Sequence, residues 1–333
     1  MQAVAVRDAS QVAEARRRAS AVAHSLGFNE EETGRVAIAA TELATNLLKH
    51  GSGGELLIGS FEDGTGSGLE CIALDQGRGM PDVEACLRDG YSTAGSPGTG
   101  LGAVARQSQL FDVYSRAGYG AAALARFQRK DFGGRTPFAG FGYGAVSIPK
   151  IGEDVCGDGW AVRPHSDGLT MMVADGLGHG PLAAEAANAA MTVFASHHAL
   201  SPAEILERVH TALRPTRGAA VSVARVDLRR ERVYFAGIGN VAGTLLAGPA
   251  VRKMVSHNGT AGHSVKRIQE FTYEFVGAPL VLLCSDGLGT SWTLDRYPGL
   301  ATRHPSLIAG VLYRDFNRGR DDVTVVVAAG ART

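Results

Sequence analysis

One stretch constrains this chain more than any other: the apolar run Leu169 to Val173, then Ala174-Asp175-Gly176-Leu177-Gly178-His179-Gly180, then Pro181 and an Ala-rich helical pattern. It reads as a buried strand, a glycine turn and a helix in immediate succession. The turn carries a carboxylate. Further aspartates stand beside apolar, strand-like runs: Asp158 in Cys156-Gly157-Asp158-Gly159, Asp286 in Cys284-Ser285-Asp286-Gly287 after Leu280 to Leu283, and Asp321-Asp322 before Val323 to Val327. Carboxylates that a sheet brings together repel one another and resist burial, and a cation resolves that conflict. Oxygen ligands on rigid supports suit a hard divalent ion.

A chain of 333 residues exceeds one ordinary core and points to two domains of α/β character. No apolar run approaches the roughly 20 residues that a membrane helix requires, so no membrane span is expected. The formal net charge is zero, which removes the basic excess that draws proteins to nucleic acid. Cys71, Cys86, Cys156 and Cys284 lack any Cys-x-x-Cys spacing and read as small packing residues in a reducing compartment. Arg7, Asp8, Glu14 and Arg16 interrupt any secretory-type apolar segment, so a cytoplasmic location is expected.

In the first half, Ser10 is the expected N-cap of a helix over Val12 to Leu26, with Gly27 beyond it. A second helix opens on a capping box of Asn29 and Glu32, carries Val36, Ala39, Leu43 and Leu47 at helical spacing, and ends at Gly51. Glu42 and Asn46 share one face of it, with His50 a turn further on. Two strands, Glu55 to Phe61 and Leu69 to Leu74, form a hairpin around Gly64 to Gly68, and the second delivers Asp75. Then come Gln76-Gly77-Arg78-Gly79-Met80, a short helix over Val83 to Arg88, and Gly98-Thr99-Gly100-Leu101-Gly102 opening another helix. Glycines at a helix start expose N–H groups to phosphate. Strands over Phe111 to Ser115 and Ala121 to Phe127 complete a sheet.

Glu42-x-x-x-Asn46, Asp75-x-Gly77-x-Gly79 and Gly98-x-Gly100-x-Gly102 together resemble the nucleotide-binding boxes of the GHKL ATPase and kinase superfamily, and Glu-Leu-Ala-Thr-Asn resembles anti-sigma factor serine kinases of the RsbW and RsbT type. The resemblance covers residues 1–130 and implies a GHKL (Bergerat) α/β sandwich with helices on one face. It implies that ATP and Mg²⁺ bind, that Asn46 holds the Mg²⁺, that Asp75 accepts from the adenine amino group, and that Glu42 is the general base. Lys49, His50, Gly77, Gly79, Gly98, Thr99, Gly100, Leu101 and Gly102 complete the implied cofactor-binding set, with 80–97 as a short lid.

Asp131-Phe132-Gly133-Gly134-Arg135-Thr136-Pro137 breaks both periodicities, so a linker is expected over 131–140 and a second domain over 141–333. Strands from Tyr143 and Trp160, the run into Asp175, helices at Pro181 to His197 and Pro202 to Leu213, four or five strands from Ala219, a helix over Pro305 to Phe316 and a last strand follow. This half resembles the metal-dependent PPM serine/threonine phosphatases in their SpoIIE-like branch, with Gly237-Ile238-Gly239-Asn240 and His257-Asn258-Gly259-Thr260-Ala261-Gly262 most similar to RsbX-type members. The resemblance implies an αββα sandwich whose Asp158, Asp175, Gly176 carbonyl, Asp286 and Asp321 hold two Mn²⁺ or Mg²⁺ ions, with Asp322 behind them or exchanged with Asp321. By the same resemblance Asp175 would bridge the ions, which would acidify a water for in-line attack on phosphorus. His179 either gives a proton to the leaving group or caps the following helix.

The resemblances together imply a bacterial partner-switching regulator, an ATP-dependent serine/threonine kinase joined to a phosphatase. Its implied partner is a STAS-domain antagonist protein, with a sigma factor or second-messenger enzyme downstream. The alternative is a phosphatase whose first domain only binds nucleotide or sequesters a partner. The oligomeric state stays open, a homodimer included.

Overall fold

In a computed structural model that describes residues 1–63, 66–87, 100–129 and 141–330, the period-two apolar runs assemble into three sheets of five strands, each antiparallel throughout. Chain contacts divide the molecule into two units, one of Met1–Pro137 with Tyr297–Arg314 and one of Phe138–Arg296 with Asp315–Thr333. The expected linker, Gly64, Arg88, and the site residues Gly98 and Thr99 lie outside the described residues.

The first unit runs β1 (Gln2–Val6), α1 (Ala9–Ser25), α2 (Glu30–His50), β2 (Gly54–Asp63), β3 (Gly66–Leu74), α3 (Val83–Leu87), α4 (Gly100–Gln107), β4 (Leu110–Ser115) and β5 (Ala121–Gln128). Its sheet order is β1-β2-β3-β5-β4. Strand β1 has no turn signal beside it in sequence and was not expected; it forms the edge by pairing Val4 with Leu56. The expected cap Ser10 is corrected to Asp8, whose Oδ1 accepts from the Ser10 and Gln11 N–H groups while Gln11 reaches back to the Asp8 N–H. The second capping box, Asn29 with Glu32, forms as expected.

Alternation along β3 sends Leu69, Cys71 and Ala73 into the core under α1 and α2, together with Val36, Leu43 and Leu47. The opposite face of the sheet carries Leu57, Ile72 and Leu124, which lie abreast in register and are fully buried. That face was expected to be free of helices. It is covered by the segment 297–314, and Gly310 of α7 (Pro305–Phe316) stands where an added Cβ would meet Ile72 Cγ2 at 3.0 Å and Leu74 Cδ2 at 3.3 Å. Every residue from Pro305 to Tyr313 is buried.

A polar cluster fastens this segment to the sheet. Arg126 is inward-facing on β5 and donates through Nε to Glu70 Oε2 (2.9 Å), through Nη1 to Asp63 and through Nη2 to Ser306 Oγ (2.9 Å), while Ser306 Oγ donates to the same Glu70 oxygen (3.0 Å). Both Glu70 and Arg126 are buried. Burial pushes the Glu70 carboxyl up, and the Arg126 charge and the Ser306 hydroxyl pull it back down. Asp112 accepts from the Arg303 guanidinium (3.2 Å) and the His304 N–H (2.7 Å).

The second unit is a sandwich. One sheet is ordered β13-β10-β9-β8-β7, from β7 (Asp158–His165), β8 (Gly168–Gly176), β9 (Ala219–Asp227), β10 (Arg232–Ile238) and β13 (Phe271–Glu274). The other is ordered β12-β11-β14-β15-β6, from β6 (Phe141–Ile148), β11 (Ala242–Ala247), β12 (Ala250–Met254), β14 (Leu280–Cys284) and β15 (Val323–Gly330). Six strands therefore follow Ala219 before α7, one more than the longest expectation. Met171, Val173, Phe235, Leu283 and Val326 fill the space between the sheets. Met172, Ala174 and Val221 face the other way, under α5 (Pro181–His197) and α6 (Pro202–Ala212). Among the described residues no helix is long and apolar enough to cross a membrane.

Candidate active sites

The first candidate site lies where α2, the end of β3 and the start of α4 meet. Leu43, Ala44 and Leu47 turn into the core, which leaves Glu42 and Asn46 half-buried on the other side of α2. A Cβ at Gly100, the first residue of α4, would lie 3.2 Å from Glu42 Oε2 and 3.5 Å from either polar atom of the Asn46 amide. Glycine at this position therefore lets the positive end of α4 abut the pair. Among the described residues Asn46 Nδ2 is buried without a hydrogen-bond partner. An orphaned amide N–H donor beside a helix N-terminus fits a phosphate, and the oxygens of Asn46 and Glu42 next to it suit a cation on that phosphate.

Asp75 stands one residue past β3. Its Oδ1 accepts from the N–H groups of Gly77 (2.8 Å) and Ala121 (3.3 Å). Burial pushes this carboxyl up, those bonds hold it down, and the result is a fixed acceptor aimed from the strand end. At Gly77 a Cβ would meet the Gly51 Cα and the His50 carbonyl at 2.8 Å each, and Gly79, with φ +68, packs on the Arg116 carbonyl. These two glycines serve close backbone approach. Leu101 packs on the core, Gly102 is buried, and Lys49 is exposed. Burial, with the Arg78 and Lys49 cations, keeps the His50 imidazole below its usual range. The Ala121 N–H escaped notice in the sequence because a backbone donor leaves no residue signature.

The second candidate site lies along one edge of the sandwich. Register pairs Asp158 with Asp175 across β7 and β8, and β14 and β15 run side by side with Asp286 and Asp321 just beyond their ends. Burial, then the charges of Asp158, Asp286 and Asp321, push Asp175 up to about 8. Asp158 is raised for the same reasons, burial first, although its Oδ2 accepts from Ser285 Oγ at 2.7 Å. Among the described residues its Oδ1 is buried with no partner. Asp286 Oδ2 accepts from Asn240 Nδ2 at 2.5 Å, a contact that explains the Gly-Asn motif. Asp322 is buried and accepts from the Lys150 N–H (2.9 Å), whereas Asp321 is half-exposed and acts on Asp175 and Asp286. A Cβ at Gly176 would strike the Ala183 carbonyl at 2.1 Å, so only glycine passes beneath α5.

Among the described residues, no three His, Cys, Asp or Glu side chains already stand together as a closed ligand cage. The orphaned Asp158 oxygen, the mutual repulsion and the all-oxygen donor set fit hard divalent cations.

His179 does not cap α5, whose N-cap Gly180 makes no side-chain bond. It pairs instead through Nδ1 with Glu153 Oε1 at 2.5 Å. Glu153 is a lone glutamate in a loop and has no signature in the sequence. Burial pushes the Cys156 and Cys284 thiols up to about 12. Both are therefore packing residues: Cys284 is expected to resist iodoacetamide at neutral pH until the chain is denatured, as read by mass spectrometry, and Cys156→Ser is expected to retain the phosphatase turnover that the resemblance implies.

The sequence profile of histidine kinase-like ATPase domains matches residues 5–122, and that of stage II sporulation protein E (SpoIIE) matches residues 165–329. The chain is similar to the serine/threonine-protein kinase RsbT of Bacillus subtilis, 39% identical over 99 residues that cover 30% of this chain and 74% of RsbT. It is also similar to the phosphoserine phosphatase RsbX of the same organism, 30% identical over 94 residues that cover 28% of this chain and 47% of RsbX, under half of that relative. A structure of RsbX in complex with magnesium shares the fold, with a TM-score of 0.52 at 19% identity over 58% of this chain and 96% of that one. A structure from work on the bacterial stressosome, a modular system adapted to control secondary messenger signaling, gives a TM-score of 0.53 at 27% identity over 56% of this chain and 98% of that one.

Proposed function

The chain belongs to the RsbT-type family of histidine kinase-like ATPase domains and carries a SpoIIE-type PPM phosphatase domain after it, and from that premise we propose a bifunctional regulator that adds phosphate to a serine or threonine of a partner protein and removes it again. The observation that carries the kinase half is Glu42 beside Asn46 at the α4 N-terminus. Glu42 takes the proton of an incoming hydroxyl, Asn46 would hold Mg²⁺ on ATP, and Asp75 accepts from the adenine amino group.

The phosphatase half is carried by the four aspartates that act on one another at the sandwich edge. Asp158, Asp175, the Gly176 carbonyl, Asp286 and Asp321 would hold two Mg²⁺ or Mn²⁺ ions, with Asp322 bracing the loop. Bound there, such ions supply an acidified water and neutralise the phosphoryl oxygens. Glu153 orients His179, whose other ring nitrogen gives a proton to the departing serine oxygen. The partner is a STAS-domain antagonist, a reading supported by RsbT, RsbX and the stressosome chain.

The two activities are silenced separately. In the full chain, Asp286→Ala is expected to leave the partner phosphorylated when ATP is present, and Asn46→Ala to strip a phosphorylated partner without refilling it. Glu42→Gln is expected to bind ATP yet transfer phosphate poorly. Mass spectrometry of the partner decides the matter. A partner modified on different residues by the two variants overturns the opposing pair, and transfer by Glu42→Gln at the wild-type rate reduces the first domain to a binding module.

A further inference from the structure

Helix α7 ends beside the nucleotide site. Arg314 Nη1 donates to the carbonyl oxygens of Asp75 (2.9 Å) and Ala121 (3.2 Å), and Gln76 Nε2 donates to the Arg314 carbonyl (3.4 Å). The Asp75 N–H is itself bonded to the Ala121 carbonyl (3.0 Å), and the Asp75 carboxylate accepts from the Gly77 and Ala121 N–H groups. One guanidinium thus clamps the last pairing of β3 with β5, where the chain turns out of the sheet to present Asp75. Arg314 belongs to the same compact unit as Asp75, yet it falls within the 165–329 match to SpoIIE and outside the 5–122 match to the ATPase domain.

We propose that Arg314 is a positioning residue of the nucleotide site, holding Asp75 in the geometry that reads adenine from a helix supplied by the phosphatase half of the sequence. The inference rests on Asp75 being the adenine acceptor. Its physical basis is the bond type: a guanidinium stays charged, and its bonds to two carbonyls are charge-assisted and hard to replace with water. The same charge favours the ionised form of Asp75 against the effect of burial, and only an ionised carboxylate is purely an acceptor for an amino group. A displacement of the strand end by a fraction of an ångström would spoil a hydrogen bond to the base while leaving the phosphate contacts at α4 untouched. Arg314 therefore acts on base recognition more than on phosphate binding.

The test uses the full chain and titrates ADP and GDP against a fluorescent ADP analogue. Wild type is expected to favour ADP. Arg314→Met is expected to weaken ADP about tenfold, the loss of a charge-assisted hydrogen bond, and to narrow the ADP-to-GDP ratio because GDP is affected less. Arg314→Lys, which keeps the charge and a single donor nitrogen, is expected to restore most of that ratio. As a control for helix docking, Arg303→Gln removes the Asp112 contact at the other end of the same segment and should leave ADP affinity unchanged. Unaltered ADP affinity and selectivity in Arg314→Met overturn the inference, as does an equal loss of ADP and GDP, which would mark a purely structural role. If wild type binds nucleotide without favouring ADP, the reading of Asp75 falls first and the role of Arg314 falls with it. Should Arg314→Met melt early without ligand, the ratio in Arg314→Lys decides.

Discussion

Asp175→Ala is expected to abolish phosphate release from a phosphoserine partner, with a loss well beyond the roughly 10–100-fold that removal of an outer partner of a metal ligand costs. The reason is positional. Asp175 pairs in register with Asp158 and feels the charges of Asp158, Asp286 and Asp321, which is the basis for proposing it as a ligand of both cations. Without it the remaining carboxylates repel each other less, and the fold itself should be no less stable when metal is chelated. Turnover with Mn²⁺, together with melting in the presence of a chelator, checks both halves of that expectation. Metal-dependent turnover at the wild-type rate would remove Asp175 from the site.

Arg126→Met is expected to be the most damaging single change to stability. It removes the guanidinium that bonds both Glu70 and Asp63, and breaking a buried ion pair from one side costs about 3–5 kcal/mol. It also removes the donor to Ser306 and the guanidinium stacked 4.2 Å over the Phe61 ring. The pH dependence has a definite sign. Burial already raises Glu70, and loss of Arg126 raises it further above its unfolded value. The stability carried by such a group is fully present below the ordinary carboxylate range and is lost as pH rises through its elevated folded value. Urea unfolding should therefore show the variant's deficit smallest in acid and growing toward neutrality. A deficit that grows on acidification instead would mean that the cluster is not held by its charges.

Much of this architecture can be read from the sequence where local chemistry is strong. Proline at the first turn marks α5, α6 and α7, and the Asn29 and Glu32 pair marks α2, because these signals act within one turn of helix. The aspartates of the sandwich edge and the Glu42, Asn46 and Asp75 group were legible as residue types at strand ends and on one helix face. Signals that depend on a distant partner were not. Asp8 and Ser10 both look like caps, and only the bonds made by Asp8 separate them. The docking of α7 had one overlooked sign: nearly every side of Pro305 to Tyr313 is apolar, and a helix of that kind must be buried on all sides. Glu70 and Arg126 inside otherwise apolar strands were another, since a charge in a buried strand needs a partner. Nothing in the sequence singles out Arg314, whose partners are main-chain oxygens.

That arrangement also sets a timetable for synthesis. A ribosome delivers Arg126 and the rest of the first sheet early, but Ser306 follows 180 residues later and completes the polar cluster only then. At roughly 5–20 residues per second the interval is on the order of 10–40 seconds. Throughout it, the face bearing Leu57, Ile72 and Leu124 is exposed in the nascent chain, together with a carboxylate–guanidinium group still lacking its hydroxyl. The growing polypeptide is thus at its most adhesive after its first unit has largely formed, and a holdase that shields apolar sheet surface would have most effect in that window.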